Sequence, residues 1–201
     1  MTIEERIKTI IETNNGYVTR KDIDKENIPS IYLTRYVLKH NLKHIDRGFY
    51  AKEEWMVDHY LVFQYKYPQF IYSFNSAIYL HGLGDILPNY LEVTKPINYH
   101  PFRDKREGLV IHTDTVYSSF SLGIIEITTP LGNVVKVYDK EKTICDIIKN
   151  KEKVEFEVYV KALNQYAKSK DKNVNKLMKY AKIMRIENKV RSQMEVILNN
   201  D

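Results

Sequence analysis

Apolar residues recur at helical spacing from the start of the chain. Ile3, Ile7, Ile10 and Ile11 fall on one face, which predicts an amphipathic helix from Thr2 to about Thr13. Asn14-Asn15-Gly16 ends it, because Asn and Gly tolerate the left-handed backbone found just past a helix. Tyr17 and Val18 form a short extended link. Thr19 then caps a short second helix that ends near Asp24, and Asp22, three residues on, is the acidic partner of a capping box. Asn27-Ile28-Pro29-Ser30 turns the chain and delivers a second cap at Ser30. A third helix follows over Ile31 to His40. Leu33, Val37 and either Leu38 or Tyr36 form its buried stripe, leaving Tyr32, Thr34, Arg35 and Lys39 outward. Leu42 to Ile45 and Phe49 to Ala51 read as two strands, with Asp46-Arg47-Gly48 turning between them and Gly48 supplying a positive φ.

The pattern changes after residue 52. Asp58 to Tyr67 is predicted helical, and Pro68 stops it. Trp55, Tyr60, Phe63 and Tyr67 are assigned to a core. Phe70-Ile71-Tyr72 is a short strand, and Ser73 caps a short helix that ends at Gly82. Leu91 to Thr94, Leu109 to His112, Ile124 to Thr128 and Val134 to Tyr138 are strands rich in β-branched residues. Residues 97–107 read as an exposed loop carrying Arg103, Lys105 and Arg106, and Thr129 to Asn133 as a hairpin turn. No proline follows Pro130, and the rest of the chain is helical. Asp139 caps Lys140 to Lys149; further helices cover Glu155 to Ala167, Val174 to Ile183 and Ile186 to Leu198.

These elements predict an α+β protein. Residues 1–52 form a winged helix-turn-helix. Residues 53–201 form a larger mixed α/β domain with a helical C-terminal end. A winged helix presents its third helix to a DNA major groove, about 12 Å wide, and its hairpin to the flanking backbone or minor groove.

Composition supports a folded chain. Of 201 residues, 43% are hydrophobic, and 16 tyrosines oppose disorder. No apolar run nears the roughly 20 residues of a membrane span, and the first residues lack the basic and apolar segments of a signal peptide. The lone cysteine, Cys145, has no intramolecular disulfide partner, which fits a cytoplasmic location. Charge is segregated. Residues 1–52 carry a net +3, residues 53–139 a net −4, and residues 140–200 a net +7. Any contacts to a polyanion are therefore expected from the two ends; the alternative is a merely solvated lysine-rich surface.

The chemistry of the first region suits duplex DNA. Arg35 can donate a bidentate pair to guanine, and Thr34 a hydroxyl to a base or phosphate. Arg20, Lys21, Tyr32 and Lys39 are phosphate partners that set register. Arg47 at the wing tip reaches a minor groove or phosphate. Near the other end, Lys172, Lys176, Lys179 and Lys182 recur every three or four residues as a basic stripe, and Lys176, Lys179 and Lys182 are expected to add phosphate contacts. The alternative is that the same module docks a protein and binds no specific DNA.

Catalytic signatures are missing. Neither GxxxxGK[ST] nor GxGxxG occurs, and the six histidines lack ligand spacing, so no cofactor or metal is expected. His81 stands near Asp85 and can pair with it, but a surface or core hydrogen bond is the simpler role. Cys145, inside an apolar run, reads as a buried inert thiol. Asp139, Glu141 and Asp146 cluster near one helix start. As metal carboxylates they would make the chain an enzyme acting on nucleotides; helix capping explains Asp139 and Glu141 more simply. The chain is not expected to be an enzyme.

Three segments together carry a family resemblance. They are Gly16-Tyr17-Val18-Thr19 through Ile28-Pro29 to Arg47-Gly48-Phe49-Tyr50; Ser76 to Leu83 with Ile86, Pro88 and Leu91-Glu92-Val93-Thr94; and Val137-Tyr138-Asp139-Lys140-Glu141-Lys142-Thr143 to Asp146. In this order, over about residues 1–150, the chain resembles the AbiEi antitoxins of bacterial type IV toxin–antitoxin and phage abortive-infection systems. The resemblance implies an autorepressor that binds inverted repeats in its own promoter; two copies, one on each half-site, would then be expected to pair on the DNA. It also implies an antitoxin that counters a nucleotidyltransferase-like toxin without a stable complex.

Overall fold

The structure is a computed structural model that describes residues 1–99, 108–114 and 116–198. The chain divides into two compact units, Met1–Lys66 with Thr128–Val134, and Tyr67–Ile127 with the chain from Val135 onward. Residues 100–107 of the predicted loop, with Arg103, Lys105 and Arg106, lie outside the described residues. Among the described residues no helix is long and apolar enough to cross a membrane.

In the first unit, helix α1 (Ile3–Thr13) starts with a capping box between Thr2 and Glu5 and buries Ile7 and Ile11. It ends at Asn15 and Gly16, whose φ values are 56° and 103°. Tyr17-Val18 is more than a link: Tyr17–Thr19 is strand β1, pairing antiparallel with a later strand. Two apolar positions carry too little periodicity to announce a strand. Helix α2 (Arg20–Lys25) has the Thr19–Asp22 capping box. Helix α3 (Ser30–Lys39) departs from expectation at its start. Ser30 is its first residue, Pro29 occupies the cap position, and no side chain caps it. Proline needs no amide partner and holds the extended backbone that a cap requires, with φ −60° and ψ 137°. Strands β2 (Lys43–Asp46) and β3 (Phe49–Ala51) form the hairpin, and the sheet order is β1-β3-β2. Helix α4 (His59–Lys66) follows.

The core of this unit gathers Ile7, Ile11, Val18, Ile23, Leu33 and Tyr36. Phe49 is fully buried and packs on Tyr17, Trp55 and Tyr65. The buried Asp58 caps α4 through the amides of Tyr60 and Leu61, and its second oxygen accepts from Thr129 Oγ1 at 2.5 Å and Asn133 Nδ2 at 2.8 Å.

The second unit is built on a five-stranded sheet. Its strands are β4 (Ile71–Tyr72), β5 (Leu91–Pro96), β6 (Leu109–Asp114), β7 (Ile124–Thr128) and β8 (Val134–Tyr138), in the order β6-β5-β4-β8-β7. β4 runs antiparallel to β5 and parallel to β8, and β5 runs parallel to β6. Helix α5 (Phe74–Leu80) connects β4 to β5, and a short α6 (Tyr117–Phe120) follows β6. Helix α7 (Lys140–Lys149), capped by Asp139 through the Lys142 amide, is buried from Glu141 to Ile148. It packs on α5, α8 (Phe156–Lys168), α9 (Val174–Ile183) and α10 (Glu187–Leu198). Two sheets and ten α-helices among the described residues make this an α+β protein.

Two singled-out residues find core roles here. His81 donates from Nε2 to the Tyr138 carbonyl at 2.6 Å, and burial holds its pKa below the ordinary histidine value. Asp85 pairs with Lys161 instead of His81. Cys145 is fully buried, and burial pushes its thiol pKa up.

Candidate nucleic-acid interface

The outer face of α3 follows from which of its residues the core takes. Leu33 and Tyr36 are buried and Val37 packs beside them. Leu38 is 74% exposed, so Tyr36 rather than Leu38 completes the stripe. Tyr36 also stacks on His40, with ring centroids 4.1 Å apart. The residues left outward at i, i+3, i+4 and i+7 are Ile31, Thr34, Arg35 and Leu38, a continuous ridge on one helix face.

Arg35 has no ion pair among the described residues. Its guanidinium lies 6.0 Å from the ring centre of Tyr32, which is itself partly exposed. Thr34 donates its hydroxyl to the Ser30 carbonyl at 3.3 Å. Lys39 is differently placed: its ammonium grips Glu4 at 2.8 and 3.0 Å, and His40 reaches the same carboxylate at 2.9 Å. Hydrogen bonds from Lys39 and then His40 hold the Glu4 carboxyl below its usual pKa. This clamp fastens the end of α3 to the start of α1. A groove of about 240 Å³ runs beside it, bordered by Glu4, Ile7, Tyr32, Arg35 and Lys39.

At the hairpin, Arg47 is exposed at the tip, and Asp46 accepts its amide at 2.7 Å. Arg20 lies against this turn: its amide donates to Gly48, while its guanidinium pairs with Asp24 at 2.8 Å. Lys21 donates to the Tyr65 carbonyl at 3.0 Å and sits 4.6 Å above the Tyr65 ring centre. The fold thus brings Arg20 and Arg47 to one turn, and Tyr32, Thr34, Arg35 and Lys39 to one helix.

In the second unit the lysine stripe divides. Lys179 and Lys182 are exposed on α9. Lys172 donates to the Ala167 carbonyl. Lys176 lies 2.8 Å from Asp139 Oδ2 and 3.5 Å from Glu141 Oε2, and the Asp139 carboxylate raises its pKa. Its charge is therefore largely matched inside the protein. Asp139 and Glu141 converge on this ammonium, whereas Asp146 gives both oxygens to Lys142 at 2.6 and 2.8 Å. Among the described residues no group of three His, Cys, Asp or Glu is placed to hold a metal ion.

Sequence reasoning missed Ile31 and Leu38 as outward residues. Their spacing with Thr34 and Arg35 was the available signal, but apolar side chains are assigned inward by default. No protein-family model and no curated protein matches this chain.

Proposed function

We propose that the chain is a DNA-binding autorepressor and antitoxin of a bacterial type IV toxin–antitoxin operon. The first unit acts as a winged helix-turn-helix, with α3 in the major groove of inverted repeats in the chain's own promoter. The observation that carries this reading is the outward ridge of α3, where Arg35 has no acidic partner among the described residues and stands beside Thr34. An unpaired guanidinium flanked by a hydroxyl suits guanine and phosphate recognition. Ile31 and Leu38 extend the ridge with apolar contact for thymine methyl groups. Arg47 and Arg20 touch the flanking backbone, and Lys179 and Lys182 add phosphate contacts. Two copies meet the two half-sites. The antitoxin role rests on the family resemblance, which implies a nucleotidyltransferase-like toxin countered without a stable complex.

A reporter driven by the chain's own upstream region tests the repressor role. Expression of the protein is expected to silence it, and Arg35→Ala to release it. Growth rescue on co-expression with the product of the neighbouring gene tests the antitoxin role. Reporter output that ignores the protein contradicts the reading.

A second reading is favoured by the exposure of Leu38 and Ile31, 74% and 50%. Large exposed apolar side chains on one helix face suit protein docking. A complex with the toxin that survives purification without DNA, and is lost with Leu38→Glu, supports docking over DNA recognition.

A further inference from the structure

A cleft of about 320 Å³ opens in the second unit where strands β5 and β6 meet the last turn of α7. Its walls are polar apart from Phe74 and Ile111. One hydrogen-bonded polar pair and one buried ion pair meet there. His112 stacks on Phe74 with ring centroids 3.9 Å apart, and its Nε2 lies 3.0 Å from Glu92 Oε1. Lys142, 1% exposed, holds Asp146 and sits 4.4 Å from the ring centre of Tyr138. A buried ion pair seldom stabilises a fold more than apolar residues of the same volume would. The buried Lys142–Asp146 pair therefore points to a role beyond packing for the hollow it borders.

The polar groups with bonding capacity left at the cleft define the ligand. Asp114 accepts the Val116 amide with one oxygen at 3.1 Å. Its other oxygen is ion-paired with Lys142 at 3.7 Å, too long for a hydrogen bond, and so can still accept one from a ligand. Lys149 and Lys153 are exposed at the rim and have no ion pair among the described residues. Lys149 also complements the C-terminal end of α7, and Lys153 ends the short 3-10 turn Lys151–Lys153 that follows it.

We propose that this cleft binds a small phosphorylated compound with free hydroxyls, of the nucleoside monophosphate or sugar phosphate class. Lys149 and Lys153 hold the phosphate, and Asp114 accepts a sugar hydroxyl. The volume sits at the low end of small-molecule pockets, which span about 300–1,000 Å³, and so suits one phosphate and one sugar rather than a longer polyanion. This site is separate from DNA reading and does not rest on it.

Isothermal titration of the full chain with AMP, ribose 5-phosphate and inorganic phosphate tests the proposal. AMP or ribose 5-phosphate is expected to bind at least about tenfold more tightly than phosphate alone. Preference for AMP assigns a nucleoside monophosphate, and equal binding of the two assigns a sugar phosphate. Each of Lys149→Ala and Lys153→Ala is expected to weaken binding by about tenfold, since both remove a charge-assisted hydrogen bond. Both lysines are exposed, so these variants keep the fold. Asp114→Asn keeps an acceptor for the Val116 amide and is expected to weaken the sugar-bearing ligands while leaving phosphate unchanged. Phosphate binding as tightly as either sugar compound overturns the proposal. So does unaltered affinity in the lysine variants, or no heat with any ligand.

Discussion

The carbonyl oxygen of Gly48 accepts the amide of Arg20 at 2.7 Å and so ties the turn of the hairpin to the first residue of α2. The same oxygen accepts the Tyr65 hydroxyl at 3.0 Å. Gly48 holds a φ of +72°, and a methyl group there would stand 3.1 Å from the Cβ of Arg20. Gly48→Ala therefore combines backbone strain with a tight contact and is expected to cost about 1–2 kcal/mol. Urea unfolding checks this, and an unchanged midpoint would show that the turn relaxes freely.

Leu33 and Leu38 lie on opposite sides of one short helix, the first 4% and the second 74% exposed. Leu33→Ala is expected to destabilise the protein by about 2–5 kcal/mol, as for other buried leucines. Leu38→Ala is expected to change stability by less than about 0.5 kcal/mol. Thermal melts of the two variants decide the matter, and comparable losses in both would mean that Leu38 is packed in solution.

Lys142 and Asp146 form a buried pair one helical turn apart, and burial pushes the Asp146 carboxyl up from its ordinary pKa. Lys142→Met leaves an uncompensated buried carboxylate and is expected to cost about 3–5 kcal/mol. Adding Asp146→Leu removes that carboxylate and is expected to recover most of the loss. A double-mutant cycle by chemical denaturation measures the coupling. If the double variant is as unstable as the single one, the pair is not the source of the cost.

His81 supplies a pH dependence. Its folded-state pKa is lowered by burial, so the unfolded chain takes up this proton at a higher pH than the native protein. The stability associated with neutral His81 is complete above the unfolded value, about 6.5. It is lost as pH falls through that value toward the folded one. The melting temperature is expected to drop between pH 7.5 and 5.5, and His81→Gln to flatten that drop. Equal slopes in the wild type and the variant would assign the dependence elsewhere.

Local signals were legible in the sequence where one residue and its near neighbours settle the structure. The Thr19–Asp22 capping box and the positive φ of Gly48 are of this kind. What depended on distant partners was not legible. Leu38 and Tyr36 share the same helical spacing, and only the packing of α3 on α1 selects Tyr36. Lys176 reads as part of a basic stripe until Asp139 and Glu141, more than thirty residues earlier, come within reach. The cleft beside β6 was invisible for the same reason: His112 and Asp114 on β6, and Lys149 and Lys153 at and beyond the end of α7, are brought together only by the tertiary fold.

The most direct test of the central claim is an anisotropy titration of the chain's own upstream duplex and a scrambled duplex, each at two salt concentrations, with wild type, Arg35→Ala and Lys182→Ala. The wild type is expected to bind the upstream duplex far more tightly and to weaken steeply with salt. Arg35→Ala is expected to lose about 1–3 kcal/mol on the upstream duplex only, while Lys182→Ala loses affinity for both and lowers the salt slope by about one. Equal binding to both duplexes by the wild type, or none to either, would contradict the account.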